Sequence, residues 1–143
     1  DIPEQLAGKA ILQATVNVFC LQFINLPYVA NANFTYIPTD DWTTGPDDRF
    51  PLYAEKRLHW IRSFAEPGNW YRADVTGLLL LSGEGPGQPL SLQILQEEHG
   101  VRGIKVAGPK AANTSQAPYL EIKFLRDPQQ EVVVAVTCFA CTR

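Results

Sequence analysis

Three cysteines, two histidines and several acidic doublets are the side chains of this 143-residue chain best equipped for chemistry, and their spacing limits what each can do. Cys138 and Cys141 stand three apart, while Cys20 is alone near the start. A zinc ribbon needs a second pair of ligands, and a redox motif needs a helix opening after a strand, whereas only Thr142 and Arg143 follow Cys141. In an extended segment, Cα atoms three residues apart lie about 10 Å from each other, beyond the roughly 7 Å limit for a disulfide. Cys20, Cys138 and Cys141 are therefore disulfide candidates toward other partners, within the chain or between chains, with one thiol left over. Cys20 fits equally well as a small buried apolar residue.

Nucleophilic catalysis has little to work with. His59 and His99 make no His-x-x-x-His pair, and no Gly-x-Ser-x-Gly phrase occurs. The doublets Asp40-Asp41, Asp47-Asp48 and Glu97-Glu98 would point to opposite faces of any strand, the wrong arrangement for paired glycosidase carboxylates. The expectation is a protein that is not an enzyme. The loop DDWTTGPDD over residues 40–48 offers Asp40, Asp41, Asp47 and Asp48 as oxygen ligands, so calcium is the one cofactor the sequence admits. That loop lacks the alternating carboxylates and twelfth-position Glu of a helix-loop-helix calcium site. Most of the three Trp, five Tyr and seven Phe are expected to fill a core. Trp42, Tyr53 and Trp60 are the candidates for an exposed sugar-stacking platform. Asn33-Phe34-Thr35 and Asn113-Thr114-Ser115 are glycosylation sequons, which place Asn33 and Asn113 at the surface if they carry glycans.

The elements that must position these residues are strands. Residues 10–23 alternate, with Leu12, Ala14, Val16, Val18 and Cys20 on one side and Gln13, Thr15 and Asn17 on the other, as in a half-buried strand. Similar runs, rich in β-branched and aromatic residues, cover 33–37, 70–76, 90–95, 101–106, 119–125 and 132–139. Turn clusters separate them, notably Glu66-Pro67-Gly68-Asn69, Ser82-Gly83-Glu84-Gly85-Pro86-Gly87 and Ala107-Gly108-Pro109. Seven short strands with polar turns predict an all-β, jelly-roll-like sandwich of two antiparallel sheets. Residues 55–64 fit a helix by Leu58 and Ile61 and a strand by Trp60 and Phe64. Residues 78–81, four leucines in which Leu78 follows Thr76 closely, fit either a buried strand or a helical turn capped by Thr76.

Composition bounds the partners. With 12 basic and 15 acidic side chains, the formal charge is -3, and no basic run offers a nucleic acid or an anionic membrane a clustered cationic face. No stretch nears the roughly 18 apolar residues of a membrane span. The absence of Met and the start at Asp1 suggest a processed product or an excised fragment.

Four phrases resemble a known family. They are Asp1-Ile2-Pro3 leading into the strand around Ala10–Phe19, Tyr36-Ile37-Pro38-Thr39-Asp40-Asp41-Trp42, Asn69-Trp70-Tyr71-Arg72-Ala73-Asp74-Val75-Thr76-Gly77-Leu78, and Gln116-Ala117-Pro118-Tyr119-Leu120-Glu121-Ile122. In this order they resemble the DNRLRE-type domain, a jelly-roll module of secreted bacterial and archaeal proteins related to carbohydrate-binding modules. The prodomain of the transforming growth factor-beta family is similar in fewer of these phrases and lacks the closing Pro-Tyr-Leu-Glu-Ile. The resemblance implies a sandwich over residues 1–125, an extracellular or cell-surface location, polysaccharide as ligand, and a core position for Trp70. It also implies strands ahead of Asp1-Ile2-Pro3, and residues 126–143 carry an additional strand and a Cys-containing tail. Val132, Val133, Val134 and Val136 of that strand are expected either to complete their own sheet or to be donated to another copy. The expected function is a structural subunit that assembles with copies of itself, as a filament or surface layer, through strand complementation or disulfides. The alternative is a carbohydrate-binding module of a secreted polysaccharide-acting protein.

Overall fold

The alternating segment near the start forms β1 (Ile11–Ile24), and the larger sheet is organised around it. The computed structural model describes residues 2–25, 30–37, 59–88, 90–96, 103–108, 113–127 and 130–137. After β1 come β2 (Ala30–Ile37), β3 (His59–Phe64), β4 (Trp70–Asp74), helix α1 (Thr76–Ser82), β5 (Ser91–Gln96), β6 (Gly103–Val106), β7 (Tyr119–Asp127) and β8 (Gln130–Thr137). One sheet runs β4-β1-β7-β8, with β6 also paired to β1; the other runs β3-β2-β5. Among the described residues all the pairings are antiparallel, and the two sheets make an all-β sandwich that does not close into a barrel. The segment 55–64, which the sequence left between helix and strand, supplies β3 from His59 onward by pairing with β2.

The length of β1 lets two strands share one of its edges. Its first half pairs with β7 from Ile11 to Asn17, and β6 takes over beyond, with the Phe19 carbonyl accepting from the Ala107 N–H at 2.9 Å. On the opposite edge, Cys20 bonds to Asn69 and Gly68 next to β4. Gly68 has φ +82°, a conformation a side chain would strain, in the turn between β3 and β4. Tyr71 fastens the same turn: its hydroxyl accepts from the N–H groups of Ala65 and Glu66 at 3.0 and 2.9 Å and donates to the Glu66 carbonyl at 2.7 Å. Its ring lies 4.5 Å from that of Phe64, which joins the two sheets through the core.

The core is one cluster. Ala14, Val18 and Cys20 of β1, Ile122 and Phe124 of β7, Phe34 of β2 and Phe64 of β3 meet there, with Leu78 and Leu79 of α1 and Ile2 and Leu6 from the N-terminal end. Leu12 departs from the expected apolar face. The ladder to β7 slips between Ile11 and Gln13, and Leu12 is left exposed. Thr15 and Asn17 depart in the other direction, being 6% and 1% exposed despite lying on the side away from the core.

The Asp-Val-Thr phrase has a structural meaning different from the one its sequence suggests. The strand ends at Asp74, and Thr76 is the first residue of α1 rather than its cap. The Asp74 carboxylate accepts from the Thr76 N–H at 2.9 Å and from its hydroxyl at 2.6 Å, an acidic group at the start of a helix. The Thr76 hydroxyl oxygen in turn accepts from the Ala14 N–H of β1 at 2.8 Å, and Val75 between them is buried. Two short side chains thus fix α1 to the central strand. Gly83, at φ 74°, ends the helix in the left-handed conformation.

Candidate binding face

The outer face of the larger sheet gathers side chains from four strands. Register alone builds it: Phe19 of β1 lies opposite Trp70 of β4, Asn17 lies between Arg72 and Tyr119, and Thr15 lies between Asp74 and Glu121. Trp70, expected in the core, stands on this face instead and is 38% exposed. Its indole meets both Phe19 and Tyr119, each edge-to-face with centroids 5.5 Å apart. Such pairs hold the ring in place.

Beside this aromatic corner runs a polar shelf. Arg72 reaches across β1 to Glu121, with Nη2 2.6 Å from Oε1. The bridge passes over Thr15 and Asn17, which explains why these two polar residues are buried on the outward side. Asn17 Nδ2 donates to the Thr15 carbonyl at 3.2 Å. A shallow depression of about 580 Å³ continues the shelf, lined by Gln13, Thr15, Arg72, Asp74, Glu121, Lys123 and Val133. Burial pushes the Asp74 carboxyl up, but hydrogen bonds from the Thr76 hydroxyl, the Thr76 N–H and Gln13 outweigh it and hold the group below its ordinary value. Asp74 is therefore an anion at neutral pH.

At the margin of the same sheet, β8 pairs with β7 from Gln130 to Thr137 within one chain. Among the described residues, no strand pairs with its far edge. Val132 and Val134 pack against the core, while Val133 is 51% exposed and Ala135 is exposed. Glu131, its one acidic residue, lies 3.6 Å from Lys123 of β7.

The other expected site residues divide by position. Cys20 is fully buried with a free thiol, and burial raises its pKa against a lowering backbone hydrogen bond at Gln22. Cys138 and Cys141 lie outside the described residues, as do Trp42, Tyr53 and the calcium candidates Asp40, Asp41, Asp47 and Asp48. Trp60 occupies a ladder position opposite Phe34, and Asn33 one opposite Ile61. Asn113 is exposed, and its side-chain oxygen accepts from the Ser115 N–H at 3.1 Å and from the Ser115 hydroxyl at 2.6 Å. Among the described residues, no three His, Cys, Asp or Glu side chains come together, and no helix is long and apolar enough to cross a membrane.

The aromatic corner was missed by the sequence reading. Its signal was Trp70 two residues before Arg72 at a strand start, but the partners Phe19 and Tyr119 lie about 50 residues to either side. No family model, curated protein or solved structure matches this chain.

Proposed function

We propose that this chain is a non-enzymatic extracellular module that binds a polysaccharide on the outer face of its larger sheet. The observation that carries the reading is Trp70, an exposed indole held by two other rings beside a row of hydrogen-bonding groups. A sugar ring offers an apolar C–H face to an aromatic side chain and hydroxyl groups at its rim. Trp70 supplies the first kind of contact, and Arg72, Glu121, Gln13 and Asp74 the second. From Trp70 to Asp74, β4 rises about 14 Å, longer than a single sugar unit and suited to a chain. The resemblance to secreted modules supports an extracellular setting. Asp74 is shifted away from the raised carboxyl that a general acid needs.

Affinity electrophoresis through gels containing soluble neutral polysaccharides tests this. The native chain should be retarded by at least one of them, and Trp70→Ala should lose about 30-fold in affinity, as expected for a contact worth about 2 kcal/mol. Unretarded migration across the panel, or equal retardation of the variant, overturns the proposal.

A second reading is an extracellular structural subunit that assembles with its own copies, and the edge of β8 favours it. Strand Val132–Val136 pairs with β7 in this chain, and on this reading assembly adds strands along its far edge. Buried Cys20 is poorly placed to join copies, which leaves Cys138 and Cys141 as the thiols for a covalent link.

A further inference from the structure

We infer that β8 is a self-complementary edge through which two copies of this chain pair antiparallel, in a register centred on Val134; the inference rests on the self-association reading and is independent of sugar binding. Edge strands that must stay single are guarded by proline, bulges or charges. From Val132 to Val136, β8 contains none of these, and its ladder to β7 is regular from Tyr119 to Leu125, slipping only near the hairpin. The nearest charge, Glu131, is engaged by Lys123 of its own sheet.

The faces of the strand select the register. Val132 and Val134 face the core, Val133 and Ala135 face solvent, and a slip by one residue would set one kind against the other. Centring on Val134 sets Val134 against its counterpart, Val132 against Val136, and Val133 against Ala135. Glu131 then meets Thr137, so no like charges are opposed. Shifting the centre to Val133 keeps the faces matched but opposes Gln130 to Val136 on the inner side. The Val134 register is the one that pairs every inner valine with a valine, so the two cores continue into each other.

This pairing is two-fold symmetric, so it closes at two copies. It makes a dimer with a continuous sheet. A filament would need a further link, such as one through Cys138 or Cys141.

Within the chain, Val133 lies opposite Lys123 and Ala135 opposite Glu121. Val133→Glu combined with Ala135→Lys therefore suits both its own sheet and the proposed partner strand. Val133→Glu combined with Ala135→Glu opposes like charges twice across the dimer. Sedimentation equilibrium of the full chain with reductant present, after both variants are shown to melt cooperatively, is the test. The native chain should move from its 15.9 kDa mass toward twice that value as concentration rises. The Glu/Lys variant should do the same, and the Glu/Glu variant should remain at the single-chain mass. A native chain that stays at the single-chain mass, or a Glu/Glu variant that associates as the native chain does, overturns the inference. A Glu/Lys variant that stays single overturns the register. Val133 also lines the shelf, so retardation by polysaccharide is read on the native chain and Trp70→Ala, and failure of one proposal is distinct from failure of the other.

Discussion

The link from Asp74 through Thr76 to Ala14 predicts an order of destabilisation opposite to that of ordinary helix capping. Asp74→Ala removes the acceptor for the Thr76 N–H and hydroxyl and the long 3.4 Å bond from Gln13, all at the surface. Water replaces those partners, so the cost is that of a lost helix-start acceptor, about 1 kcal/mol. Thr76→Val keeps the side-chain shape but removes the oxygen that accepts from the Ala14 N–H, a backbone donor of the central strand beside a fully buried Cβ. An unpaired buried donor costs about 1–3 kcal/mol, and the Asp74 carboxylate loses its hydroxyl partner as well. Thr76→Val should therefore destabilise more than Asp74→Ala, about 2–3 kcal/mol against about 1, and the double variant should cost less than the sum because the two share a bond. Urea titration of the four proteins at neutral pH measures this. The pH dependence gives an independent check. The Asp74 pKa in the folded chain lies below its unfolded value near 3.9, so the unfolded state binds more protons between the two and stability rises with pH there. The gap between native chain and Asp74→Ala should be constant above about pH 5 and shrink as pH falls through the folded pKa. Equal costs for the two single variants, or a gap independent of pH down to acid unfolding, refutes the linkage.

Three further outcomes are expected. Tyr71→Phe leaves the N–H groups of Ala65 and Glu66 and the Glu66 carbonyl without their shared partner while keeping the ring on Phe64, and should cost about 1–3 kcal/mol in urea titration. Cys20 should resist iodoacetamide in the native state and react fully in urea, read by peptide mass; a native reaction at the rate of an open thiol contradicts its burial. Arg72→Met keeps an apolar stem over Thr15 and Asn17 and should lower stability by less than about 1 kcal/mol, as for an exposed ion pair, whereas Arg72→Ala should cost more by uncovering them.

What the sequence disclosed follows from where its patterns are local. β1, β5 and β7 are legible because one face of each is apolar over consecutive residues, and the period of two is visible without knowing the partner. Residues 55–64 were ambiguous because Leu58 and Ile61 satisfy the helical spacing and Trp60 and Phe64 the alternating one; pairing with β2, about 30 residues earlier in the chain, decides it. Residue type makes Thr76 a cap candidate, yet a hydroxyl beside a strand backbone has a choice of acceptors and donors, and here it accepts from the Ala14 N–H while donating to Asp74. The core position expected for Trp70 comes from the resemblance of the phrase that it opens, not from a pattern of the strand itself. A position on a strand fixes only which of two faces it occupies, and here the outward face is itself half covered.

That covering connects the fold to the proposed site. β1 is bordered on both edges, so its outward residues Thr15 and Asn17 are screened by side chains from β4 and β7 as well as by their own neighbours. The screen consists of the Arg72–Glu121 pair and the Trp70–Tyr119 contact, and three of these four residues, Trp70, Arg72 and Glu121, are proposed to bind sugar. These side chains are therefore already ordered before a ligand arrives, which removes part of the entropic cost of recognition. It also constrains the ligand. A neutral sugar hydroxyl can add to the free atoms of Arg72 and Glu121 while their bond persists, whereas a carboxylate or sulfate would compete with Glu121 for the guanidinium and uncover buried Thr15 and Asn17. The shelf contributes Arg72 and Lys123 against Asp74 and Glu121, so it offers no surplus positive charge to offset that loss. If the proposed binding holds, a polysaccharide that leaves the ion pair intact is the one this face favours.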